Sequence, residues 1–187
     1  MRGCAFSPDG TLLATAGVDE ALRLWKVPDG ALQAILIDPA RWVDCCAFSP
    51  DGTLLATTSA DRTARLWQVP DGTLQSVLTG HTKKVNGCAF SPDGTLLATT
   101  GADRTVRLWR LPDGTPQAVL TGHTGGVRRC AFSPDGTLLA TASHERAVRL
   151  WRIPDGTTHA VLTGHPRDLP TARRRTQEAT GRLEAAP

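Results

Sequence analysis

Five cysteines and five histidines have the widest chemical range in this 187-residue chain. Four of the cysteines recur every 42 residues, and one further cysteine stands directly before the second of them: Cys4, Cys46, Cys88, Cys130 and Cys45. A ring of repeated thiolates would suit a soft metal. Each repeated cysteine also lies two residues before a phenylalanine, which places both side chains on one face of a strand. We therefore expect packed, reduced thiols, with neither a metal site nor a disulfide framework.

The sequence contains no motif that would place a nucleophile or bind a phosphate. A glycine-rich phosphate loop, a GxSxG elbow, an HExxH pair and a C-x-x-C pair are all missing. His144 beside Glu145 is a conceivable catalytic dyad, but no motif places a nucleophile near it. We predict that the chain is not an enzyme, with no catalytic residue, no cofactor and no metal.

The elements that position these residues are repeated. The stretch CAFSPDGTLLAT begins at residues 4, 46, 88 and 130 without a single change. In the third unit, Val85 to Phe90 is a short apolar run that ends at the turn sequence Ser-Pro-Asp-Gly. Three further short runs follow, each separated by a turn, and none has a helical period. Each unit is therefore predicted to be a four-stranded antiparallel meander.

A single meander has too little core to fold alone, so the units must stack on one another. Four-stranded sheets repeated radially form a β-propeller. We predict an all-β fold of four such blades, followed by a disordered tail rich in arginine, alanine and proline. The predicted ranges are 1–38, 39–80, 81–122 and 123–165 for the blades, and 166–187 for the tail.

The repeat also resembles the WD-repeat (WD40) family. The resemblance rests on the Gly80-His81 and Gly122-His123 dipeptides, the SPDG turn, an Asp six residues before a Trp, and the Leu-Trp pair that ends the third strand. It implies a structural tetrad in each blade, in which a His, a Thr, an Asp and a Trp are joined by hydrogen bonds. The implied members are His81, Thr99, Asp103 and Trp109 in the third unit, and His123, Thr141, Glu145 and Trp151 in the fourth.

The first and second units depart from this pattern. Pro39 stands where the second unit should have its His, and the first unit has no His before Thr15. We therefore expect the third blade to be the best ordered and the second the loosest. Trp42 has two possible roles: it either fills the gap left by the missing His or contacts a partner.

Closure of the ring has three possible forms. The four blades may close on themselves, remain an open arc cut from a longer array, or pair with a second copy as half of an eight-bladed ring. The chain starts in the first strand of a unit, and His165 belongs to a fifth unit that does not follow. This pattern favours an open arc or a fragment, and it makes a homodimer through the end blades possible.

The loops that enter the first strand of each unit vary most between units, and in the WD family the rim they occupy is a common partner-binding face. Loops on a rigid scaffold commonly carry function. We predict that this rim binds a protein or peptide, with Arg41 and Trp42 as the strongest candidates. The full set of predicted partner-binding residues is Arg41, Trp42, Asp44, Lys83, Lys84, Arg104, Arg128 and Arg129.

Charge and hydropathy limit the other kinds of partner. The net charge is +3, and most of it lies in the tail around Arg173–Arg175, so nucleic-acid binding is unlikely. No apolar run is long enough for a membrane span, and we expect a cytoplasmic protein. The favoured function is a non-catalytic interaction scaffold. The alternative is the sensor portion of a larger bacterial signalling protein, a kinase or NTPase whose catalytic domain is not in this chain.

Overall fold

The computed structural model describes residues 3–17, 19–38 and 42–163, and these residues form strands and turns with no helix. Each consecutive group of four strands makes one antiparallel sheet in chain order. The strands are β1 Gly3–Phe6, β2 Leu12–Ala16, β3 Ala21–Lys26, β4 Leu32–Ile37, β5 Val43–Phe48, β6 Leu54–Ser59, β7 Ala64–Gln68, β8 Leu74–Leu78, β9 Val85–Phe90, β10 Leu96–Gly101, β11 Val106–Arg110, β12 Thr115–Leu120, β13 Val127–Phe132, β14 Leu138–Ser143, β15 Ala147–Arg152 and β16 Thr158–Thr163.

The predicted four-stranded meanders are confirmed. Each is typical of a propeller blade, and each lies within one of the predicted residue ranges. In the third sheet, Thr99 of β10 lies opposite Cys88 of β9 and Arg107 of β11. The same register recurs in the other sheets, because the repeated sequence carries the same side-chain alternation.

The Ser-Pro-Asp-Gly turn is held by hydrogen bonds within its own repeat. Asp93 accepts hydrogen bonds from the Ser91 hydroxyl at 2.5 Å and from the hydroxyl and amide of Thr95 at 2.8 and 3.1 Å. Gly94 has a φ of +72°, where a side chain would be strained. These hydrogen bonds hold the pKa of Asp93 below its usual value, the Ser91 bond most strongly. Each residue of this turn therefore has a specific structural role.

The core lies between the sheets rather than within any one of them. At the contact between the second and third sheets, Leu66 and Leu78 of one sheet pack against Leu97 and Trp109 of the other. Equivalent residues form the contacts of the first sheet with the second and of the third with the fourth. Each fully buried leucine contributes about 1.5–3 kcal/mol, so the sheets stabilise one another.

The outer faces of the first and fourth sheets lack this cover. Phe6 is 62% exposed, whereas Phe48, its equivalent in the second sheet, packs against the core of the preceding contact. On the fourth sheet, Leu162 is 50% exposed, but its equivalent Leu120 is buried. The expectation that every repeated Cys and Phe is packed is therefore wrong for Cys4 and Phe6, because among the described residues no sheet covers their face.

Candidate interaction surface and the structural tetrads

The tetrad of the third blade joins the loop before β9 to β10, to the turn after β10 and to β11 through buried polar groups. The indole of Trp109 donates a hydrogen bond to Thr99 Oγ1 at 2.9 Å. His81 Nε2 lies 2.9 Å from the same hydroxyl, and His81 Nδ1 lies 2.9 Å from Asp103 Oδ2. The Thr82 amide also donates to Asp103. The structure thus brings together all four residues that the resemblance implies.

This arrangement suits a neutral imidazole. Asp103 can only accept, so His81 Nδ1 carries the proton and Nε2 accepts from the Thr99 hydroxyl. Burial lowers the pKa of His81, and this effect outweighs the raising by the Asp103 carboxylate. Burial also raises the pKa of Asp103, but hydrogen bonds from Thr105, His81 and Thr82 lower it below its usual value overall. The chain of bonds is fully satisfied in this protonation state.

The fourth blade forms the same network with a longer carboxylate. His123 Nδ1 lies 2.5 Å from Glu145 Oε1, and its Nε2 lies 2.8 Å from Thr141 Oγ1. The Trp151 indole donates to Thr141 at 2.8 Å. Burial raises the pKa of Glu145, but hydrogen bonds from Thr124 and His123 lower it to about 2. Glutamate therefore replaces aspartate without loss of the network.

In the second blade, which lacks the tetrad histidine, a buried ion pair provides the polar partner beside the threonine. Trp67 donates to Thr57 Oγ1 at 3.0 Å, as in the other blades, and Thr57 is 3.5 Å from Asp38 Oδ2. Asp38 is fully buried, and Arg65 binds it at 2.9 Å and Asp61 at 2.7 Å. Asp38 therefore occupies the place beside the threonine, and the reason for expecting a loose second blade is removed.

One expectation about the second blade needs correction on this basis. Trp42 does not fill the position beside Thr57, because Asp38 is there; the Trp42 side chain is 46% exposed. In the first blade, Trp25 donates to Thr15 at 2.8 Å, and Asp19 pairs with Arg23 at 2.7 Å. Pro39 lies outside the described residues.

The predicted rim residues partly converge at the start of three inner strands. A polar cavity of about 630 Å³, which we call the mouth, opens where β5, β9 and β13 begin. Lys84 binds Asp44 at 2.9 Å, and Arg129 donates to the backbone oxygen of Asn86 at 3.0 Å. The residues that line the mouth are Asp44, Lys84, Asn86, Arg128, Arg129 and His144.

The mouth is cationic. It holds three permanent positive charges against the single carboxylate of Asp44. Arg128 and Arg129 are exposed, and Arg128 donates from Nε to His144 Nε2 at 2.7 Å. This bond makes His144 a hydrogen-bond acceptor for a rim arginine, rather than a general base beside a nucleophile.

The remaining predicted partner-binding residues do not line the mouth. Lys83 and Arg104 are exposed, and Arg104 has a φ of +71° in the turn after β10. Trp42 is exposed one residue before β5, which carries Asp44 into the mouth. Arg41 lies outside the described residues, as do His165 and the predicted tail with Arg173–Arg175.

The repeated cysteines do not meet at one point. Cys46 and Cys88 are buried at two different contacts between sheets, Cys130 is half-buried and Cys4 is exposed. Among residues 3–17, 19–38 and 42–163, no group of three or more His, Cys, Asp or Glu side chains could hold a metal ion. Cys46, Cys88 and Cys130 instead lie at three successive contacts between sheets.

The sequence matches a known family of repeats, and this match agrees with the four sheets of the structure. The family model described as WD domain, G-beta repeat, matches residues 1–26, 30–68, 72–110 and 114–152. The chain belongs to the WD40 repeat family. Each complete WD40 match begins before the last strand of one sheet and continues through three strands of the next, so the sequence unit links two neighbouring sheets. WD40 repeats generally mediate protein–protein interaction and are typically non-catalytic.

No curated protein matches this sequence. The described part of the chain contains no helix long and apolar enough to cross a membrane.

Sequence reasoning missed four residues that contribute to these sites. Asp38 and Arg65 were not recognised as a replacement for the tetrad histidine, although Asp38 directly precedes the position of Pro39. Asn86 and His144 were not expected at the mouth, where they join residues from three sheets. Only the acid next to the lost histidine left a signal in the sequence.

Proposed function

We propose that this chain is a non-catalytic interaction module whose mouth binds an acidic segment of a partner protein. One observation supports the proposal most directly: Lys84, Arg128 and Arg129 converge on one cavity that contains a single carboxylate. Complementary charge on a partner raises the association rate and gives specificity. The three strands that carry the mouth belong to sheets packed rigidly on one another, so the charges are held in place before binding.

Exposed Trp42 adds an apolar contact on the same rim. Tryptophan and arginine are enriched among the residues that dominate binding energy. An acidic peptide with an apolar residue beside its carboxylates would fit the mouth and Trp42 together. The alternative role, as the sensor portion of a signalling kinase or NTPase, stays a prediction, because no described residue bears on it.

The test uses a fluorescein-labelled peptide of consecutive glutamates, with a glutamine peptide of equal length as the uncharged probe. Fluorescence anisotropy is measured with the wild-type chain and with Arg128→Gln/Arg129→Gln. The matched control is Lys26→Gln/Arg152→Gln, which removes the same charge from two exposed residues at the far ends of their strands.

We expect the glutamate peptide to bind, and the mouth variant to bind it about tenfold more weakly. The control variant should stay within about twofold of wild type, because its charges are remote from the mouth. Equal losses in both variants would show that only the overall charge matters, and would contradict the assignment of the mouth.

A second partner is indicated by the two uncovered faces: another copy of this chain. On the first sheet, Phe6, Leu13 and Trp25 line an apolar hollow of about 440 Å³. On the fourth sheet, Leu162 is exposed and Leu150 is half-buried. The exposed face of the first sheet corresponds in sequence to the faces on which the next three sheets bury Trp67, Trp109 and Trp151. The exposed face of the fourth sheet corresponds to the faces that pack against those tryptophans.

The fourth sheet of one copy can therefore pack on the first sheet of another in the way that neighbouring sheets already pack. Light scattering behind a sizing column should give a mass above the 19.9 kDa of one chain. Phe6→Glu should shift the population to monomer, whereas Val77→Glu, at an exposed apolar residue on an outer strand, should not. A monomer at every concentration would exclude this association.

A further inference from the structure

Two consecutive cysteines of β5 face opposite neighbours. Successive side chains of a strand point to opposite sides. Cys46 is part of the core between the first and second sheets, whereas Cys45 packs against the core between the second and third sheets. The inner strand of the second sheet therefore presents one thiol to each of its neighbours.

Cys88 belongs to the same contact between the second and third sheets, on the side of the third sheet. Cys88 occupies in β9 the repeat position that Cys46 occupies in β5, so it points back toward the second sheet. It belongs to the same core that Cys45 packs against, and its Sγ lies 4.0 Å from the backbone oxygen of Ala56 in that sheet. Two thiols from different sheets thus share one interface.

The electrostatics of the two sulfurs differ. A hydrogen bond with the Cys88 side chain, assisted by the charge of Arg129, lowers the pKa of Cys45 to about 6 in spite of its burial. The same interaction, together with burial, raises the pKa of Cys88 well above its usual value. Cys45 is half-buried and Cys88 is buried. Of the two thiols, Cys45 is therefore the more accessible and the more readily deprotonated, and Cys88 lies buried behind it.

The neighbouring interfaces have only one thiol at this level. The repeat position of Cys45 is occupied by Gly3 in the first sheet and by Gly87 in the third. The inner strands approach closely here: a Cβ on Gly3 would lie 3.3 Å from the backbone oxygen of Asp44, and one on Gly87 would lie 2.9 Å from that of Arg128. Of the three contacts between sheets, the one between the second and third sheets thus has two thiols at this level, and the other two contacts have one each.

We propose that Cys45 and Cys88 form a thiol oxidation site that links the second and third sheets by a disulfide when a hydroperoxide is present. The Cys45 thiolate attacks the terminal peroxide oxygen. The O–O bond breaks, the leaving alkoxide or hydroxide takes a proton, and Cys45 becomes a sulfenic acid. The Cys88 sulfur then attacks the Cys45 sulfur, the S–O bond breaks, and the hydroxyl leaves with the Cys88 proton as water. Two thiols are oxidised and one hydroperoxide is reduced to an alcohol or water.

The test treats the reduced full chain with stoichiometric hydrogen peroxide, blocks the remaining thiols with iodoacetamide, and digests the protein with trypsin. Cleavage after Arg41, Arg62, Lys84 and Arg104 separates Cys45 from Cys88 on the peptides 42–62 and 85–104. Mass spectrometry should find these two peptides joined, about 2 Da lighter than the sum of their reduced forms. The count of free thiols should fall from the five of the reduced chain by two.

Two variants identify which cysteines form the disulfide. Cys45→Gly installs the residue that the first and third sheets already have at this position, so the fold tolerates it, and the joined peptides should disappear. Cys46→Ala is the matched control on the same peptide and should leave the link intact. A link that survives Cys45→Gly, a disulfide between Cys45 and Cys46, or no loss of thiols in the wild-type chain would each overturn the proposal.

Discussion

The second and third blades meet the same structural requirement with different chemistry. In both, a tryptophan indole donates to a threonine hydroxyl on the second strand of the sheet. The third blade completes the network with neutral His81, and the second completes it with the ion pair of Asp38 and Arg65. In these two blades the polar partner beside the threonine is thus neutral in one and charged in the other.

The polar networks of the two blades also differ in how far they depend on a single side chain. In the third blade Thr99, His81 and Asp103 each have at least two hydrogen-bond partners. In the second blade the guanidinium of Arg65 binds both Asp38 and Asp61. A buried ion pair that loses one member leaves an uncompensated charge. Substitutions in the two blades should consequently differ in cost.

The largest effect is expected for Arg65→Ala. It should lower the free energy of unfolding by about 3–5 kcal/mol, because it removes the guanidinium that pairs with the buried carboxylate of Asp38. Arg107 is the matched control, since it occupies the same repeat position in the third blade and forms no ion pair with a described carboxylate, Asp103 being paired with His81. Arg107→Ala should cost under about 1 kcal/mol. Urea unfolding followed by tryptophan fluorescence measures both, and equal costs would contradict the distinction between the blades.

An intermediate effect is expected for His81→Gln, and it should depend on pH. At about pH 8 the variant should lose about 1–3 kcal/mol, since Thr99 and Asp103 lose a hydrogen-bond partner. The pKa of His81 is lowered in the folded state, so the unfolded chain binds the proton first as pH falls below 6.5. The wild-type chain then loses the stability that His81 contributes, and that loss continues as pH falls through the folded-state pKa.

The difference in the free energy of unfolding between the wild-type chain and His81→Gln should therefore decrease as the pH falls from about 8 to about 5. Urea midpoints across this range give the measurement. Arg65→Ala serves as the comparison, because the second blade has no histidine in its network and its cost should stay nearly constant over the same range. A gap for His81→Gln that is independent of pH would show that the imidazole is not held neutral.

The smallest effect is expected for Glu145→Asp. This substitution gives the fourth blade the acid of the third, where Asp103 already bonds to His81 and to the next amide. The change in the free energy of unfolding should be under about 1 kcal/mol. Glu145→Ala should cost clearly more in the same urea titration, because His123 and Thr124 would lose their acceptor. If the two variants were equal, the carboxylate would have no role in the network.

Much of this fold could be predicted because its signals are local and repeated. The turn at Ser91 to Thr95, the strand alternation and the spacing of Thr99 from Trp109 are all short-range features, and each recurs four times. The third and fourth networks could be inferred from the resemblance, since every member stands at the matching position. Local periodicity was sufficient for these elements.

The remainder depended on contacts between repeats. The pairing of Asp38 with Arg65 could not be predicted, because the two residues are far apart in the sequence and only packing brings them together. The mouth joins Asp44, Lys84 and Arg128 from three units. The exposure of Phe6 is also not encoded in the repeated stretch, which is identical around its half-buried equivalents Phe48, Phe90 and Phe132; it follows from which neighbour is present.

The Ser-Pro-Asp-Gly turn and the contacts between sheets have a consequence for how such a gene can change. Each sheet meets its neighbour with the same leucine and tryptophan positions, and each turn is satisfied within its own repeat. An in-frame duplication of 42 codons would therefore insert a blade that fits on both sides at once. Unequal recombination between the near-identical repeats could lengthen or shorten the array without a new interface having to evolve.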